Sequence, residues 1–471
     1  MSIALEAKFE ETRDCIVREY QRRTPKSALA HQAARAVMPG GDTRTTTYFE
    51  PYPLYMERGI GCRLFDLDGS AYLDFLGNYT SMICGHAHPR ILGAVAEQLQ
   101  KGTAFGSAIE AQTRLATELC GRLPAVDSVR FCNSGTEATM SAIRAAKAFT
   151  GRGKILKMEG GYHGSHDAVE VSVSPSAALA GPAHAPHSVP GPGLFAGITG
   201  EVIVAPFNDI ESTAAIIDRH ARELAAVIVE PVQGAAGVIP ATHEYLTFLR
   251  EATARCGALL IFDEVVTLRL NYGGAQAMYG IHPDLTALGK IIGGGFPIGA
   301  FGGRKDIMAQ YDPRARKLRQ GGTYNGNAIS MVAGLAGLQI LTSDEIKRLN
   351  GLGDQFRSGV NGVLRDFGVD AYVAGLGSLS QLRLFAPRNI RNYRDALPSS
   401  NAADAVNAAY EVLHLALLSQ GFFGASRGEY AISTPMTEVE MAHAVGSFRS
   451  ALEGIADFIK NVGKHEQERS L

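Results

Sequence analysis

The stretch Leu259-Leu260-Ile261-Phe262-Asp263-Glu264-Val265 decides the fold, together with the segment LTALGK at 285–290 and the three glycines at 293–295. An apolar run that ends in a carboxylate is typical of a buried parallel strand, which places Asp263 at its carboxyl end. Open α/β sheets bind their ligands at that end. Lys290 precedes a glycine-rich turn in which the backbone can make a close approach. The sequence therefore predicts one buried acid and one lysine side by side at the edge of a parallel sheet.

A lysine amine and a buried carboxylate suit the cofactor pyridoxal phosphate (PLP). The amine forms a Schiff base with a carbonyl partner, and PLP is the cofactor that uses this reaction most. Its pyridine nitrogen also needs a carboxylate that holds the proton, so Lys290 and Asp263 supply both groups. A strand-end Asp263 that caps a helix and a Lys290 at the surface would account for these two residues as well, and the rest of the sequence has to decide.

The composition of the 471 residues is that of an ordinary soluble globular protein, with 46% hydrophobic and 20% charged residues. A chain of this length predicts about three domains and a large buried core. The formal net charge of −2 provides no basic field that would collect nucleic acid or anionic lipid, and no apolar run is long enough to cross a bilayer. We therefore expect small-molecule partners, with neither nucleic acid nor membrane.

The six cysteines are scattered, without a C-x-x-C pair, and this predicts reduced thiols in a cytoplasmic protein. The first stretch of the chain carries acidic side chains among its apolar ones, which argues against a signal or transit peptide. His86 and His88 are close in sequence, but no third ligand lies at a useful spacing, so we predict no metal site.

Two patterns divide the chain. From about residue 89 to 311, helical spacing alternates with buried strands, which is typical of βαβ units around a mostly parallel sheet. The C-terminal part has an α+β pattern instead. We therefore predict an N-terminal segment 1–88, a large domain 89–330 and a small domain 331–471. The Pro-, Gly-, Ala- and Ser-rich stretch 171–200 is long enough to be an active-site lid, although a loop without a role would have the same composition.

A turn after the predicted strand Val129–Cys132 has the composition of an anion site. The sequence Asn133-Ser134-Gly135-Thr136-Glu137 leads from that strand into a long helix, and the free N–H groups and dipole of a helix start bind phosphate. Ser134 and Thr136 would serve equally as ordinary helix caps. A nucleotide is disfavoured, because Lys290 is followed by isoleucine where a P-loop needs Ser or Thr, and no G-x-G-x-x-G opens a βα turn.

Six motifs occur in the order in which a known family has them: NSGTEA at 133–138, GGYHG at 160–164, VEPVQG at 229–234, FDEV at 262–265, LGKIIGGG at 288–295 and GTYNGN at 322–327. Together they resemble the class-III, fold-type-I PLP-dependent aminotransferases, and the resemblance covers nearly the whole chain. It points to the branch of glutamate-1-semialdehyde aminomutase and of the β-phenylalanine type of β-amino acid aminotransferases. The resemblance implies an α/β fold, with a large domain around a mostly parallel central sheet and a small α+β domain built from both chain ends.

The resemblance also implies roles for particular residues. Lys290 would form the Schiff base with PLP and act as general base and acid, and Asp263 would pair with the pyridine nitrogen. The residues expected at the cofactor are Ser134, Gly135 and Thr136 at the phosphate, Thr323 reaching the phosphate from the other subunit, Tyr162 stacked on the ring, Val265 behind it, and Glu230 and His163 beside it. The arrangement implies a homodimer with shared active sites.

Two arginines are candidates for substrate binding. Arg44 matches the position where the aminomutase keeps an arginine for the substrate carboxylate. Arg427 resembles an arginine of the β-amino acid aminotransferases that the aminomutase lacks. Two arginines suit the two carboxylates of an amino donor and a 2-oxo acid acceptor. A surface salt bridge, for example with Glu429, would account for Arg427 equally without a role in substrate binding.

We therefore predict a PLP-dependent aminotransferase that moves an amino group from an amino acid, with β-amino acids among the candidates, to a 2-oxo acid. Glu429 matches an acidic residue of the aminomutase, so glutamate-1-semialdehyde 2,1-aminomutase is the alternative. A PLP-dependent racemase or decarboxylase on the same scaffold, and a PLP-binding protein without catalysis, are further alternatives. A racemase would need a second base opposite Lys290.

Overall fold

The computed structural model describes residues 3–398 and 403–469, and the strands among them form four sheets. In chain order the strands are β1 Met56–Ile60, β2 Arg63–Asp66, β3 Ala71–Asp74, β4 Ser128–Cys132, β5 Lys154–Met158, β6 Val202–Ala205, β7 Leu224–Val229, β8 Val232–Gln233, β9 Ile239–Pro240, β10 Leu259–Asp263, β11 Leu285–Gly289, β12 Gly299–Gly303, β13 Ala371–Leu376, β14 Leu379–Leu384, β15 Phe422–Phe423 and β16 Glu429–Ala431.

The central sheet has seven strands in the order β4-β12-β11-β10-β7-β5-β6. Strands β11, β10, β7, β5 and β6 pair in parallel, and only β12 runs against its neighbours β11 and β4 within this sheet. This arrangement confirms the predicted α/β fold with a mostly parallel central sheet.

The middle strands are buried on both faces, which explains their unbroken apolar sequences. Every residue of β7 (LAAVIV), β10 (LLIFD) and β11 (LTALG) is buried. Each fully buried Val, Leu or Ile side chain contributes about 1.5–3 kcal/mol to folding. Asp263 pairs with Ala287 in the register of β10 and β11. The acid and the end of β11, which Lys290 follows directly, therefore lie side by side at the edge of the sheet.

Strand β12, with the sequence GAFGG, is the part of the sheet that the sequence patterns did not indicate. Glycine is depleted in strands, so propensity argues against one here. The structure gives the reason for these glycines: a Cβ on Gly299 would lie 2.0 Å from the Ser134 carbonyl oxygen, and one on Gly302 would lie 2.5 Å from that of Ser128. Strand β12 therefore requires glycine at Gly299, where it passes the turn after β4, and at Gly302, where it passes the first residue of β4.

Helices cover the sheets. The longer ones are Ile3–Arg23, Pro25–Arg35, Pro89–Leu99, Glu110–Arg122, Gly135–Thr150, Ile210–His220, His243–Cys256, Ala328–Leu338, Ser343–Asp366, Ala403–Ser419 and Glu438–Arg469, and the short ones are Gly77–Thr80, Gly274–Tyr279 and Lys305–Met308. Single turns of 3₁₀ helix occur at Pro39–Gly41, Thr45–Thr47, Ala196–Gly200, Thr267–Leu270, Lys290–Gly293, Ala309–Tyr311 and Arg394–Ala396. Within the described residues no helix has the length and apolarity that a bilayer-crossing segment needs.

Segments from both ends of the chain share a second sheet, in the order β1-β2-β3-β15. Strands β1 to β3 form an antiparallel meander, and Phe422 of β15 pairs in parallel with Leu73 of β3. A third sheet, β13-β14-β16, lies in the C-terminal part. The domain boundaries at residues 88 and 330 stay a prediction.

Candidate active site

The carboxyl end of β10 carries the predicted acid into a buried hydrogen-bond network. Asp263 Oδ1 accepts from the Val265 backbone N–H at 3.1 Å. Asp263 Oδ2 lies 2.9 Å from His163 Nδ1, and both side chains are buried. Burial lowers the pKa of His163, although the Asp263 carboxylate opposes the shift. A neutral imidazole that donates its Nδ1 hydrogen to Asp263 satisfies this geometry and stabilises the carboxylate.

Lys290 follows β11 directly and lies in an unusual backbone conformation. Its φ is +48°, and it begins the 3₁₀ turn Lys290–Gly293. Burial lowers the pKa of the Lys290 amine, and three nearby acids oppose that shift. They are Glu429, Glu230 and Asp263. The residue is only partly buried. A lysine with a lowered pKa is a better nucleophile and base at neutral pH.

The turn after β4 has the geometry of a phosphate site. Ser134 caps the helix Gly135–Thr150, and its Oγ accepts from the Glu137 N–H at 3.1 Å. The N–H groups of Gly135 and Thr136, in the first helical turn, have no partner within the helix. A Cβ on Gly135 would lie 3.1 Å from Val265, so Val265 packs directly against this turn.

A second turn, at residues 160–164, carries Tyr162 and His163 to the same place. Thr136 Oγ1 accepts from the Ser165 N–H at 3.2 Å, which joins this turn to the helix start. Glu230 Oε2 accepts from the Tyr162 N–H at 2.9 Å. Burial raises the pKa of Glu230 to about 8, with a further contribution from the Asp263 charge. The Tyr162 side chain is 42% exposed, so its ring is available for stacking.

These residues fit the chemical groups of PLP. The partly exposed lysine suits the aldehyde, and the buried acid suits the ring nitrogen. The helix start with its free N–H groups suits the phosphate. The His163 Nε2 atom is buried without a hydrogen-bond partner among the described residues, which marks this region as one whose polar groups are not all satisfied within the chain.

The other three predicted residues lie outside this network. Thr323 is exposed, and its segment is tied to the phosphate turn through the 2.8 Å hydrogen bond from Asn133 Nδ2 to Asn325 Oδ1. Arg44 is exposed, and its Nη1 donates to Asn78 Oδ1 at 2.7 Å. The Arg427 side chain is 51% exposed, and its Nη2 lies 3.3 Å from Glu429 Oε2. The salt bridge considered for Arg427 is therefore present, on the acid that also faces Lys290.

The two histidines considered as metal ligands have other roles. His86 Nε2 lies 2.7 Å from Asp74 Oδ2. His88 caps the helix Pro89–Leu99, because its Nδ1 accepts from the Arg90 N–H at 3.2 Å. In the part of the chain that the structure describes, no group of three or more His, Cys, Asp or Glu side chains has the arrangement of a metal site.

Lys157 lies next to the candidate site, and the sequence analysis did not identify it. It lies within the apolar strand β5, fully buried, and its Nζ donates to the carbonyls of Gly161 at 2.8 Å and Val171 at 2.5 Å. Burial lowers the Lys157 pKa to about 7, against the opposing charges of Glu230 and Glu170. The amine ties the turn that carries Tyr162 to the start of the stretch 171–200. A lysine in the middle of an apolar strand was the available signal.

The sequence analysis also did not identify the contact that fixes the predicted lid, residues 171–200. Arg394 donates to both carboxylate oxygens of Glu159, at 2.7 and 2.8 Å, and to the carbonyls of Ala180 and Gly181. The stretch 171–200 is thereby fixed to a segment more than 190 positions later in sequence. No pattern in the sequence relates the two, and the role of the stretch as a lid stays a prediction.

Lys157→Met is expected to remove one component of the pH dependence of stability. The Lys157 pKa is about 7 in the folded protein, against an ordinary value of 10.5. Between those values the unfolded chain binds the proton and the folded chain does not. The free energy of unfolding therefore rises with pH, by about 1.4 kcal/mol per pH unit for this group.

Urea denaturation of the cofactor-free protein at about pH 9, 9.5 and 10 measures this component, in a range above the Glu230 titration at about 8. The wild type should gain stability over this range relative to Lys157→Met. Lys154→Met, on the same strand but paired with Glu223 near the surface, is the matched control and should keep the wild-type slope. Equal slopes for the wild type and Lys157→Met would contradict the prediction.

The chain is similar to known proteins along most of its length. The sequence profile of the family described as "Aminotransferase class-III" matches residues 47–408. Glutamate-1-semialdehyde 2,1-aminomutase of Methanopyrus kandleri is 40% identical over 438 residues, which are 92% of this chain and 99% of the relative. The β-phenylalanine transaminase of Variovorax paradoxus is 38% identical over 435 residues, 92% of this chain and 94% of the relative. The crystal structure of an omega-transaminase from Sphaerobacter thermophilus has a TM-score of 0.87 and 44% identity, and the match covers 91% of this chain and 97% of that one.

Proposed function

The chain belongs to the class-III aminotransferase family, whose members are PLP-dependent enzymes, and we infer that it transfers an amino group to a 2-oxo acid. The donor of the amino group carries a carboxylate, and we propose that it is a β-amino acid. The proposal that donor and acceptor both carry a carboxylate rests on two arginines, Arg44 and Arg427, whose side chains are exposed to solvent. Two guanidinium groups allow one site to accept the carboxylates of donor and acceptor in turn.

When bound, PLP supplies an aldehyde that reacts with amines and a pyridinium ring that withdraws electrons from the substrate carbon. Asp263 would hold the proton on the ring nitrogen. The hydrogen bonds from the His163 ring and the Val265 N–H fix the direction of this carboxylate. The N–H groups of Gly135 and Thr136, with the Ser134 cap, would hold the phosphate at the positive end of the helix dipole.

The Lys290 amine moves the proton at the substrate carbon. Its lowered pKa leaves a larger neutral fraction at physiological pH, so Nζ takes the proton as a general base and returns it as a general acid. Tyr162 would stack on one face of the ring, and Val265 would pack on the other. Glu230, which would lie beside the ring, is fixed by two backbone donors, Tyr162 N and Gly234 N, at 2.9 and 3.1 Å.

We further propose a homodimer in which Thr323 of each chain reaches the phosphate of the other. The exposure of Thr323 and of the neighbouring Tyr324, which is 62% exposed, supports this, because a large aromatic side chain open to solvent is a common feature of an interface. The cytoplasmic location remains a prediction from the composition.

Glutamate-1-semialdehyde 2,1-aminomutase is the second candidate. The 40% identity to the Methanopyrus kandleri relative favours it, as does the buried Glu429 near Lys290. Arg427 argues for the aminotransferase, since a mutase that returns the amino group to its own substrate needs no second carboxylate partner.

A half-reaction distinguishes the candidates. The purified enzyme with PLP is mixed with single amino donors, including β-phenylalanine and glutamate-1-semialdehyde, and the loss of the cofactor absorption and the products are followed. Stoichiometric release of an oxo acid, with recovery of the original spectrum on addition of 2-oxoglutarate or pyruvate, is the expected result. A rearranged amino acid without an oxo product would support the aminomutase, and inversion of the donor would support a racemase.

Arg427→Ala is expected to raise the KM for the donor, the 2-oxo acid or both by about tenfold or more, because a charge-assisted pair to a carboxylate is lost. Steady-state kinetics with each substrate varied separately measures this. Arg388→Ala, at an exposed arginine 4.0 Å from Asp370, is the control and should leave both KM values unchanged. Unchanged KM values in Arg427→Ala would remove the proposed role of this residue.

A further inference from the structure

Residues Gly77–Thr80 form one turn of left-handed helix. The φ angles are 54° at Gly77, 48° at Asn78, 53° at Tyr79 and 73° at Thr80. Three consecutive residues other than glycine in this region are rare, because Cβ crowds the following carbonyl oxygen, and asparagine tolerates the conformation better than tyrosine or threonine. The surrounding structure must therefore hold this left-handed turn in place.

Both ends of the left-handed turn are anchored. At its start, Asp74 Oδ1 accepts from the N–H groups of Leu76 and Gly77 at 3.0 and 2.9 Å. At its end, the fully buried Arg269 donates from Nη1 to the Thr80 carbonyl at 3.1 Å. Arg269 also donates to Ser378 Oγ at 3.0 Å. A buried guanidinium thus joins the turn to the C-terminal part of the chain.

The left-handed turn presents the Asn78 amide to Arg44 in a fixed orientation. Asn78 Nδ2 donates to Ser81 Oγ at 3.1 Å, and the Ser81 hydroxyl donates to the Asn78 carbonyl at 2.9 Å. The amide oxygen is therefore directed away from Ser81, and it accepts from Arg44 Nη1 at 2.7 Å. The Arg44 guanidinium also lies 5.9 Å from the centre of the Tyr79 ring. Two residues of the same turn thus orient one side chain.

The partner of Arg44 is neutral, whereas the partner of Arg427 is a carboxylate. Among the described residues Arg44 forms no salt bridge. Its charge does interact with the nearby Asp42 carboxylate, which accepts from the Thr43 N–H at 2.6 Å and from the Thr47 hydroxyl. An amide oxygen orients a guanidinium without neutralising it, and most of its five N–H groups remain available. Arg427, by contrast, is already paired with Glu429 at 3.3 Å. Arg44 is thus the one of these two arginines that has no salt bridge among the described residues.

We propose that Asn78 is a specificity-determining positioning residue, which directs the guanidinium of Arg44 at the carboxylate of the amino donor. It acts through Arg44 and rests on the proposed function of that residue. The enzyme then selects amines that carry a carboxylate at a fixed distance from the amino group over simple amines.

The test uses the best amino donor found in the half-reaction experiment. It compares this donor with the amine that lacks only the carboxylate, which for β-phenylalanine is 1-phenylethylamine. The variants are Asn78→Gly, which keeps the left-handed backbone without strain, Asn78→Asp, which neutralises Arg44, and Arg44→Ala. We expect Asn78→Gly to raise the KM for the amino acid about tenfold with kcat within twofold. Asn78→Asp should raise it further, and the KM for the simple amine should stay unchanged or fall in all three variants.

The variants test the role of Arg44 and the role of Asn78 separately. If Arg44→Ala leaves the KM for the amino acid unchanged, Arg44 does not bind the donor carboxylate. If Arg44→Ala raises it and neither Asn78 variant does, Asn78 has no positioning role. Equal losses for the amino acid and the simple amine would show general damage to the site and would also overturn the inference. The thermal stability of the cofactor-free variants provides a readout independent of turnover, and Asn78→Gly should match the wild type.

Discussion

Replacing Lys290 with alanine is expected to lower kcat for amino transfer by about 10³-fold or more, because the variant loses both the amine that reacts with the cofactor and the general acid and base at the substrate carbon. The variant should fold normally. It removes a group whose charged form is disfavoured by burial, and it leaves the remaining network of Asp263 and His163 intact. Single-turnover kinetics and thermal denaturation measure the two effects separately.

Lys305→Ala is the control for this experiment. Lys305 is exposed at the start of a short helix, so its loss should change neither kcat nor stability. A Lys290→Ala enzyme that retains more than about a tenth of the wild-type kcat would contradict the assignment, because general acid–base catalysis alone is worth at least about 10²-fold.

Asp263→Asn is expected to lower kcat by about 10²–10³-fold, the usual loss when a buried group that stabilises developing charge is removed. The amide keeps the size of the carboxylate and can still accept the His163 hydrogen, so the packing should be retained. The negative charge is lost, and the ring nitrogen then has no anionic partner that holds its proton. The same variant should bind PLP more weakly, which equilibrium dialysis measures independently of turnover.

Asp312→Asn is the matched control, since Asp312 pairs with Arg314 at the surface. The Asp263 assignment would be wrong if Asp263→Asn kept kcat within a few-fold of the wild type and bound PLP with unchanged affinity. A loss of kcat accompanied by a large drop in melting temperature would indicate a structural effect, and Asp263→Glu would then test whether the charge restores activity.

The sequence predicted those parts of the site that lie at the ends of strands and helices. The apolar run before Asp263 and the turn at Ser134 are local patterns, and both elements form where they were expected. The network around Tyr162, His163, Glu230 and Val265 could be named only through the family resemblance. Its contacts join segments that are far apart in sequence, and residue patterns do not encode such pairings.

Other features depend on contacts that no local rule contains. The glycines of β12 are needed because that strand passes the Ser134 carbonyl, which only the folded sheet brings near. Buried Lys157 and Arg269 oppose the usual preference of cations for the surface. Each is stabilised by backbone carbonyls outside its own element, and the Thr80 carbonyl that accepts from Arg269 lies 189 positions away in sequence. The left-handed conformation of Tyr79 and Thr80 is likewise imposed by tertiary anchors against local preference.

The most direct test of the central claim is to locate the covalent bond between the cofactor and the chain. The enzyme loaded with PLP is reduced with sodium borohydride, digested and analysed by mass spectrometry. We predict that a single peptide carries the reduced phosphopyridoxyl group, on Lys290, and that Lys290→Ala incorporates none. A label on another lysine such as Lys157, or no label on a wild-type protein that has bound PLP, would contradict the account.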